Sequence, residues 1–176
     1  MFRFSAKRIA LLGILTALAT ITFMIEGLFP PLFLPGAKMG ISNIFTLLAV
    51  ILLSPLDGLI LVAVRTTLGS LFTGGLSSWL YSFSAGVASV IVSGLLVFLF
   101  FDKISVVAIS VAAAVVHNAV QNTVFCLVTG TPEMFVYLPY LALMGIVAGL
   151  IVGVASVLLL KTIPFEKFLI NQKSRF

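Results

Sequence analysis

The chain has 176 residues, of which 61% are hydrophobic and only 9% are charged. A soluble domain carries about 25% charged residues, so this composition excludes a water-soluble fold and makes lipid the main solvent. The net charge of +5 does not indicate nucleic-acid binding, because the basic residues flank the apolar segments. The single cysteine excludes an internal disulfide and a multi-cysteine metal site. We therefore predict an all-α integral membrane protein with one transmembrane domain over residues 1–176.

Six apolar segments bounded by proline, glycine or charged residues predict six transmembrane helices. They cover about residues 9–25, 39–53, 57–72, 78–101, 104–128 and 134–160. The first resembles a secretory signal peptide with Ala17-Leu18-Ala19 as its cleavage site, but its apolar run continues through Met24, which favours a retained helix. The second and third segments are short for spanning helices. The alternative is a re-entrant hairpin formed by these two, which leaves four full spans.

The basic residues indicate how this bundle is oriented. With six spans, both termini and the loops near Ser54 and Asp102 share one side, which holds eight of the ten lysines and arginines. These are Arg3, Lys7, Arg8, Lys103, Lys161, Lys167, Lys173 and Arg175. Because cytoplasmic loops carry the excess of basic residues, we expect both termini in the cytoplasm and the protein in the cell membrane. An interfacial aromatic belt is expected at the outer boundary, formed by Trp79, Tyr81, Tyr137 and Tyr140.

Three of the predicted helices carry small residues at four-residue spacing, which lets helix backbones approach closely in lipid. These are Gly13 and Ala17 in the first helix, Ala85, Ser89 and Ser93 in the fourth, and Gly145, Gly149 and Gly153 in the sixth. Packing within the chain is the simpler interpretation for the fourth and sixth helices. The face on the first helix is equally suited to another membrane subunit.

Arg65 is the strongest candidate for a functional residue in the third segment. It lies eight residues after Asp57, or about 12 Å along a helix, which puts a permanent charge near the middle of the membrane. All five acidic residues fall at predicted helix ends, so we expect no acidic partner within the membrane. Arg65 then contacts a ligand or a transport pathway, or it is a structural arginine satisfied by carbonyls and hydroxyls.

A second group of polar residues lies in the fifth segment. His117 and Gln121 are four residues apart and share a helix face, and Asn118 and Asn122 share the adjacent face. Their positions predict a polar cavity in the outer half of the membrane, and interhelical hydrogen bonds are the alternative. Asn43 and Lys38 approach from the same side, so Lys38, Asn43, Arg65, His117, Asn118 and Gln121 are predicted to bind a small anionic or heteroatom-rich molecule.

Several motifs of catalytic proteins are absent from the sequence. There is no phosphate-binding loop, so the chain cannot drive transport by its own nucleotide hydrolysis. There is no pair of membrane carboxylates for a proton relay, and His117 has no metal-ligand spacing around it. We therefore predict no catalytic residues, no metal site and no cofactor.

Three short motifs occur in an order that resembles a known family. They are Pro35-Gly-Ala-Lys-Met-Gly-Ile-Ser-Asn43, Val64-Arg-Thr-Thr-Leu-Gly-Ser70 and His117-Asn-Ala-Val-Gln121. From about Ala6 to Leu160 the chain resembles the Gx transporter family, often labelled heptaprenyl diphosphate synthase component I. That family is similar to the substrate-binding, or S, components of energy-coupling factor transporters.

The resemblance implies six helices that capture a vitamin-like small molecule on the outer side. It also implies partners, namely a transmembrane coupling subunit, onto which Gly13 and Ala17 would dock, and cytoplasmic ATPases. Prenyl diphosphate synthases bind magnesium through aspartate-rich clusters, whereas this chain has two distant aspartates, Asp57 and Asp102. The alternatives to a transport subunit are thus a non-catalytic accessory membrane subunit of isoprenoid biosynthesis and, more weakly, a structural assembly subunit.

Overall fold

The computed structural model describes residues 6–28, 40–73, 75–100 and 103–162. Within these ranges the chain forms helices and turns, and no strand. The elements in chain order are α1 (Ala6–Leu28), α2 (Asn43–Leu52), α3 (Pro55–Thr73), α4 (Leu76–Phe100), α5 (Val106–Thr129), a 3₁₀ turn (Pro132–Tyr137) and α6 (Leu138–Thr162). The predicted all-α fold is confirmed for these residues.

Local sequence signals explain where α3 and α5 begin. Pro55 is the first residue of α3, a position where the missing N–H costs nothing, so this helix begins two residues before its predicted start. Ser54 caps it, since its Oγ accepts a hydrogen bond from the backbone N–H of Asp57 at 3.2 Å. Ser105 caps α5 in the same way through Ala108 N, at 3.1 Å. Gly130 ends α5 in the left-handed conformation, with φ of 67°.

The second predicted span differs most from the structure. α2 has 10 residues, or about 15 Å of helix, which is half the thickness of a bilayer core. Five described helical segments are long and apolar enough to cross a membrane, and α2 is shorter than these. α3 is among the five. Every residue of α2 from Thr46 to Leu52 is buried, and α2 contacts α1, α3, α4 and α6.

Contacts at its two ends show that α2 runs antiparallel to α1. At one end, the carboxylate of Glu26 on α1 accepts a hydrogen bond from the backbone N–H of Ile41. At the other, Arg8 of α1 forms an ion pair with Asp57 and a 3.1 Å hydrogen bond to Ser54 Oγ. The chain therefore returns from the level of Glu26 to the level of Arg8 between these two contacts.

The start of α1 and the end of α6 lie at the same end of the bundle. Leu11 and Leu12 of α1 and Leu159 and Leu160 of α6 pack on one apolar cluster around Leu52. A second cluster joins α2, α3, α4 and α5. α1 is the least enclosed of the long helices, and large apolar side chains stay exposed along it and along α4 and α6, as expected for surfaces in contact with lipid.

The glycine face of α6 packs within the chain, as one of the two interpretations predicted. A Cβ added at Gly149 would lie 2.6 Å from Val111 Cα, and one at Gly153 would lie 2.8 Å from Val107 Cα. Glycine thus allows α6 to touch the backbone of α5. Gly13 on α1 has no atom within 4 Å of an added Cβ, and Ala17 is also exposed, so this face is open.

The predicted aromatic belt needs one correction. Tyr137 and Tyr140 are 46% and 43% exposed, which suits a membrane interface. Tyr81 is only 5% exposed, because its ring packs edge-on against Phe125, with 5.5 Å between the centroids. Tyr81 therefore belongs to the core between α4 and α5 and not to the belt.

Candidate binding cavity

A narrow cavity lies inside the bundle between α2, α4, α5 and α6. Its volume is about 20 Å³, counted as the space open to the centre of a water molecule; one water requires roughly 10–15 Å³. Three helices supply its polar lining, with Asn43 and Thr46 from α2, Ser89 and Ser93 from α4, and Ser110, His117 and Asn118 from α5. No lysine, arginine, aspartate or glutamate is among the described residues of this lining.

Three lining side chains bury a polar atom that has no hydrogen-bond partner in the described part of the chain. They are Thr46 Oγ1, Ser110 Oγ and His117 Nδ1, on residues that are 4%, 3% and 5% exposed. A buried polar atom without a partner costs about 1–3 kcal/mol, and most such atoms in native proteins are bonded. Four further atoms of this kind, on Arg65, Ser82, Asn122 and Ser156, lie on residues outside the lining.

The tautomer of His117 follows from its contacts. Its ring hydrogen-bonds the backbone of Ala85 on α4, and because Nδ1 has no partner, the bonding nitrogen is Nε2. The N–H of Ala85 is used inside α4, so the acceptor is the carbonyl oxygen of Ala85. The imidazole therefore carries its proton on Nε2 and presents the lone pair of Nδ1 to the cavity as an acceptor.

Arg65 is 1% exposed and lies behind the cavity wall. One guanidinium nitrogen donates to Ser42 Oγ at 2.5 Å and the other to Asn43 Oδ1 at 2.7 Å. The guanidinium also lies over the ring of Phe23, 6.0 Å from its centroid. Asn43 therefore joins Arg65 to the cavity, because its side chain contacts both.

The prediction that Arg65 lacks an acidic partner is wrong. Glu26 is 8% exposed and interacts electrostatically with Arg65. The same carboxylate accepts from Ile41 N and, at 3.3 Å, from Ser42 Oγ. Glu26 was expected at the end of the first helix, whereas α1 continues to Leu28 and turns this carboxylate into the bundle.

The asparagines of α5 bond to α6 and to the 3₁₀ turn before it. Asn118 Nδ2 donates to the carbonyl oxygen of Leu141 at 2.9 Å, and Asn122 Nδ2 donates to that of Met134 at 3.3 Å. These are the interhelical hydrogen bonds that formed the alternative interpretation, although Asn118 also lines the cavity. Gln121 is 5% exposed and does not line the cavity. Lys38 lies outside the described residues.

Sequence reasoning missed four hydroxyl residues of this lining. Ser89 and Ser93 were predicted as packing positions, and no role was predicted for Thr46 and Ser110. One signal was available, since Ser110 and His117 are seven residues apart and so lie on one helix face. Thr46 gave no such signal, because it sits within an almost entirely apolar helix.

The long apolar helices define a multi-pass helical membrane protein. A family model described as heptaprenyl diphosphate synthase component I matches residues 15–159. The chain belongs to that family. The matched range includes Arg65, His117 and every described residue that lines the cavity. Comparisons with curated proteins and with solved structures gave no match.

Proposed function

We propose that this protein is a membrane-embedded substrate-binding subunit, similar to the S components of energy-coupling factor transporters. It captures a small vitamin-like molecule from the outer side of the cell membrane. The observation that carries this proposal is the cavity, in which Thr46, Ser110 and His117 bury polar atoms without partners. Polar groups at membrane depth are costly and are typical of substrate pathways. A bound substrate would supply the hydrogen-bond partners that these three residues lack.

The proposal assigns different roles to the predicted site residues. Asn43, His117 and Asn118 line the cavity and contact the substrate directly. Arg65 holds Asn43 in place through the 2.7 Å hydrogen bond. Gln121 lies outside the lining and Lys38 lies outside the described residues, so their roles as substrate contacts stay predictions.

The direction of capture depends on the orientation of the bundle. Lys7, Arg8, Lys103 and Lys161 belong to the helix ends at one end of the bundle, where α1 begins and α6 ends. By the bias of basic residues towards the cytoplasm, this end is the inner one and both termini are cytoplasmic. Asn43 and Glu26 are then reached from the outer side.

Transport requires an energy source outside this chain, because the sequence has no phosphate-binding loop. We propose a transmembrane coupling subunit and cytoplasmic ATPases as partners, with no catalytic activity in this chain itself. The support is the exposed face of Gly13 and Ala17 on α1, where a partner helix can approach the backbone closely.

The family description favours a second candidate function. A protein of this family could be a non-catalytic accessory membrane subunit that works beside a soluble prenyl diphosphate synthase. A cytosolic prenyl diphosphate meets the inner face of the membrane. The two functions therefore differ in the side from which the small molecule arrives and in the protein partner.

Purification of the tagged protein from its native membranes in mild detergent tests both functions. Mass spectrometry then identifies the co-purifying proteins and any retained small molecule. We expect a coupling subunit with ATPases, and the variant Ala17→Leu should reduce their yield, because the larger side chain blocks close approach. Ala108→Leu is the matched control, since Ala108 is exposed on α5, and it should leave the yield unchanged.

Recovery of a soluble prenyl synthase without any ATPase would reject the transport function and support the accessory function. Equal effects of the Ala17 and Ala108 substitutions would reject the docking face while leaving the cavity assignment in place.

A further inference from the structure

The chemistry of the cavity narrows the class of molecule that it can bind. The sequence left anionic and neutral vitamin-like molecules open. We infer that the cavity binds an uncharged molecule that donates a hydrogen bond from an N–H or O–H group to Nδ1 of His117. This inference rests on the proposed function, and it deepens it by naming the substrate class.

The first step concerns charge. The described lining contains hydroxyl, amide and imidazole groups but no lysine or arginine. Arg65 is not part of this lining; its two terminal nitrogens donate to Ser42 and Asn43, and its guanidinium interacts electrostatically with Glu26. An anion that contacts only these described lining groups would lose its hydration without gaining a cation, which is strongly unfavourable at low dielectric.

The second step concerns the direction of the hydrogen bonds. Nε2 of His117 is occupied by the carbonyl oxygen of Ala85, and Nδ1 presents only a lone pair. The imidazole is buried, and with its proton on Nε2 it can only accept a hydrogen bond at Nδ1. A molecule that pairs with Nδ1 must therefore supply the proton.

Other residues of the lining offer the complementary groups. Arg65 donates to the side-chain oxygen of Asn43 at 2.7 Å; because a guanidinium is a donor only, this contact fixes which end of the amide is the oxygen. Nδ2 of Asn43 then faces Gly40, since a Cβ added to Gly40 would lie 2.8 Å from this nitrogen. Both residues line the cavity. Asn43 is thus a donor, while the hydroxyls of Thr46 and Ser110 can donate or accept.

This arrangement suits a molecule that carries a donor and an acceptor close together, as amides and N–H heteroaromatic rings do. His117 and Ser110, which are seven residues apart or about 10 Å along α5, both line the cavity. Its volume of about 20 Å³ admits a ring only if the surrounding helices separate slightly. Binding is therefore expected to move α2 relative to α4 and α5.

The single histidine of the chain makes a direct test possible. Protein labelled with ¹⁵N in histidine gives one pair of imidazole nitrogen signals, which report the tautomer and the hydrogen bonding of each nitrogen. Before addition of a probe, we expect a protonated Nε2 and an unprotonated Nδ1. The probes are acetamide and pyrazole, which are uncharged donors, and acetate, an anion with the shape of acetamide.

We expect acetamide or pyrazole to shift the Nδ1 signal in a saturable way and acetate to leave it unchanged. Ser110→Ala should weaken that saturation about three- to tenfold, the loss of one hydrogen bond. Ser84→Ala is the control, since Ser84 Oγ donates to the carbonyl oxygen of Leu80 within its own helix, and it should bind as the unmodified protein does.

A saturable shift with acetate overturns the inference, and so does the absence of a shift with both uncharged probes. These failures are distinct from failure of the transport function. Recovery of the ATPase partners together with an acetate-responsive Nδ1 leaves the transport function standing and removes the uncharged substrate. The expected Nδ1 response without any ATPase partner rejects the transport function and leaves the uncharged substrate standing.

Discussion

Two buried polar regions of this bundle are constructed in opposite ways. The first is the Arg8 cluster, formed by Arg8, Ser54 and Asp57, where Asp57 accepts hydrogen bonds from Arg8 Nε at 3.1 Å and from Ser54 Oγ at 2.6 Å. The second is the cavity, where Thr46, Ser110 and His117 keep polar atoms without partners.

The comparison separates two uses of costly polar groups in an apolar protein. In the Arg8 cluster the bonds join α1 to the first turn of α3 and to Ser54 just before it, and so contribute to folding. In the cavity the unbonded groups subtract from stability, and binding can recover that free energy. We therefore expect substitutions in the first region to damage the fold and substitutions in the second to damage binding.

The largest expected effect comes from breaking the Arg8 cluster. Asp57→Ala leaves the mostly buried charge of Arg8 without this carboxylate, and removal of one partner of a buried ion pair costs about 3–5 kcal/mol. Thermal unfolding in detergent measures the loss. Glu133→Ala, at an exposed site of the 3₁₀ turn, is the control. If both variants unfold at the same temperature, the cluster does not stabilise the fold.

Arg65→Lys should have the next largest effect. A lysine has one ammonium group and cannot reproduce the paired contacts of the guanidinium with Ser42 and Asn43. We expect a loss of about 1.5–3 kcal/mol in unfolding free energy together with weaker probe binding, because Asn43 loses its orientation. Lys103→Arg at an exposed position should change neither property. Full binding by the Arg65→Lys protein would contradict the positioning role.

Gly149→Ala tests whether the close contact of α5 and α6 stabilises the fold. The added Cβ would stand 2.6 Å from Val111 Cα, and forcing backbones apart typically costs about 1–3 kcal/mol. Gly13→Ala is the matched control, because its surroundings are open, and it should unfold as the unmodified protein does. Equal unfolding temperatures for the two variants would mean that α6 can shift freely on α5.

Thr46→Val should have the smallest effect and the opposite sign. It removes the Oγ1 that has no partner while keeping the shape of the side chain, so the unfolding free energy should rise by about 1 kcal/mol. Probe binding should weaken at the same time. Thr123→Val removes a hydroxyl that donates to Ala119 O at 2.8 Å and should not stabilise. A destabilised Thr46→Val protein would show that this hydroxyl has a bonded structural role.

Helix positions were the part of the fold that the sequence predicted best. Each spanning helix satisfies its own backbone, so a long apolar segment between prolines and glycines is enough to indicate it. The exception is α2, which is buried by four other helices and needs no full span of its own. The length of α2 depends on the helices that pack around it, so local hydropathy could not predict that length.

The candidate site was predicted only in part. His117, Asn118 and Asn43 line the cavity as a group, since rare polar residues in apolar helices indicate special positions. The serines and Thr46 were missed, because hydroxyls in a membrane helix commonly bond to their own backbone. The sequence pattern does not distinguish such a hydroxyl from one that lines a cavity.

The sequence by itself determined the class of the protein, the order of its helices and the identity of its costly polar residues, because these depend on composition and local pattern. Only the tertiary structure decided which of those residues meet. Glu26 reaches the N-terminus of α2 and interacts with Arg65, and Arg8 reaches Asp57 across 49 residues of chain. These contacts depend on the relative height and rotation of whole helices, and no local pattern encodes that geometry.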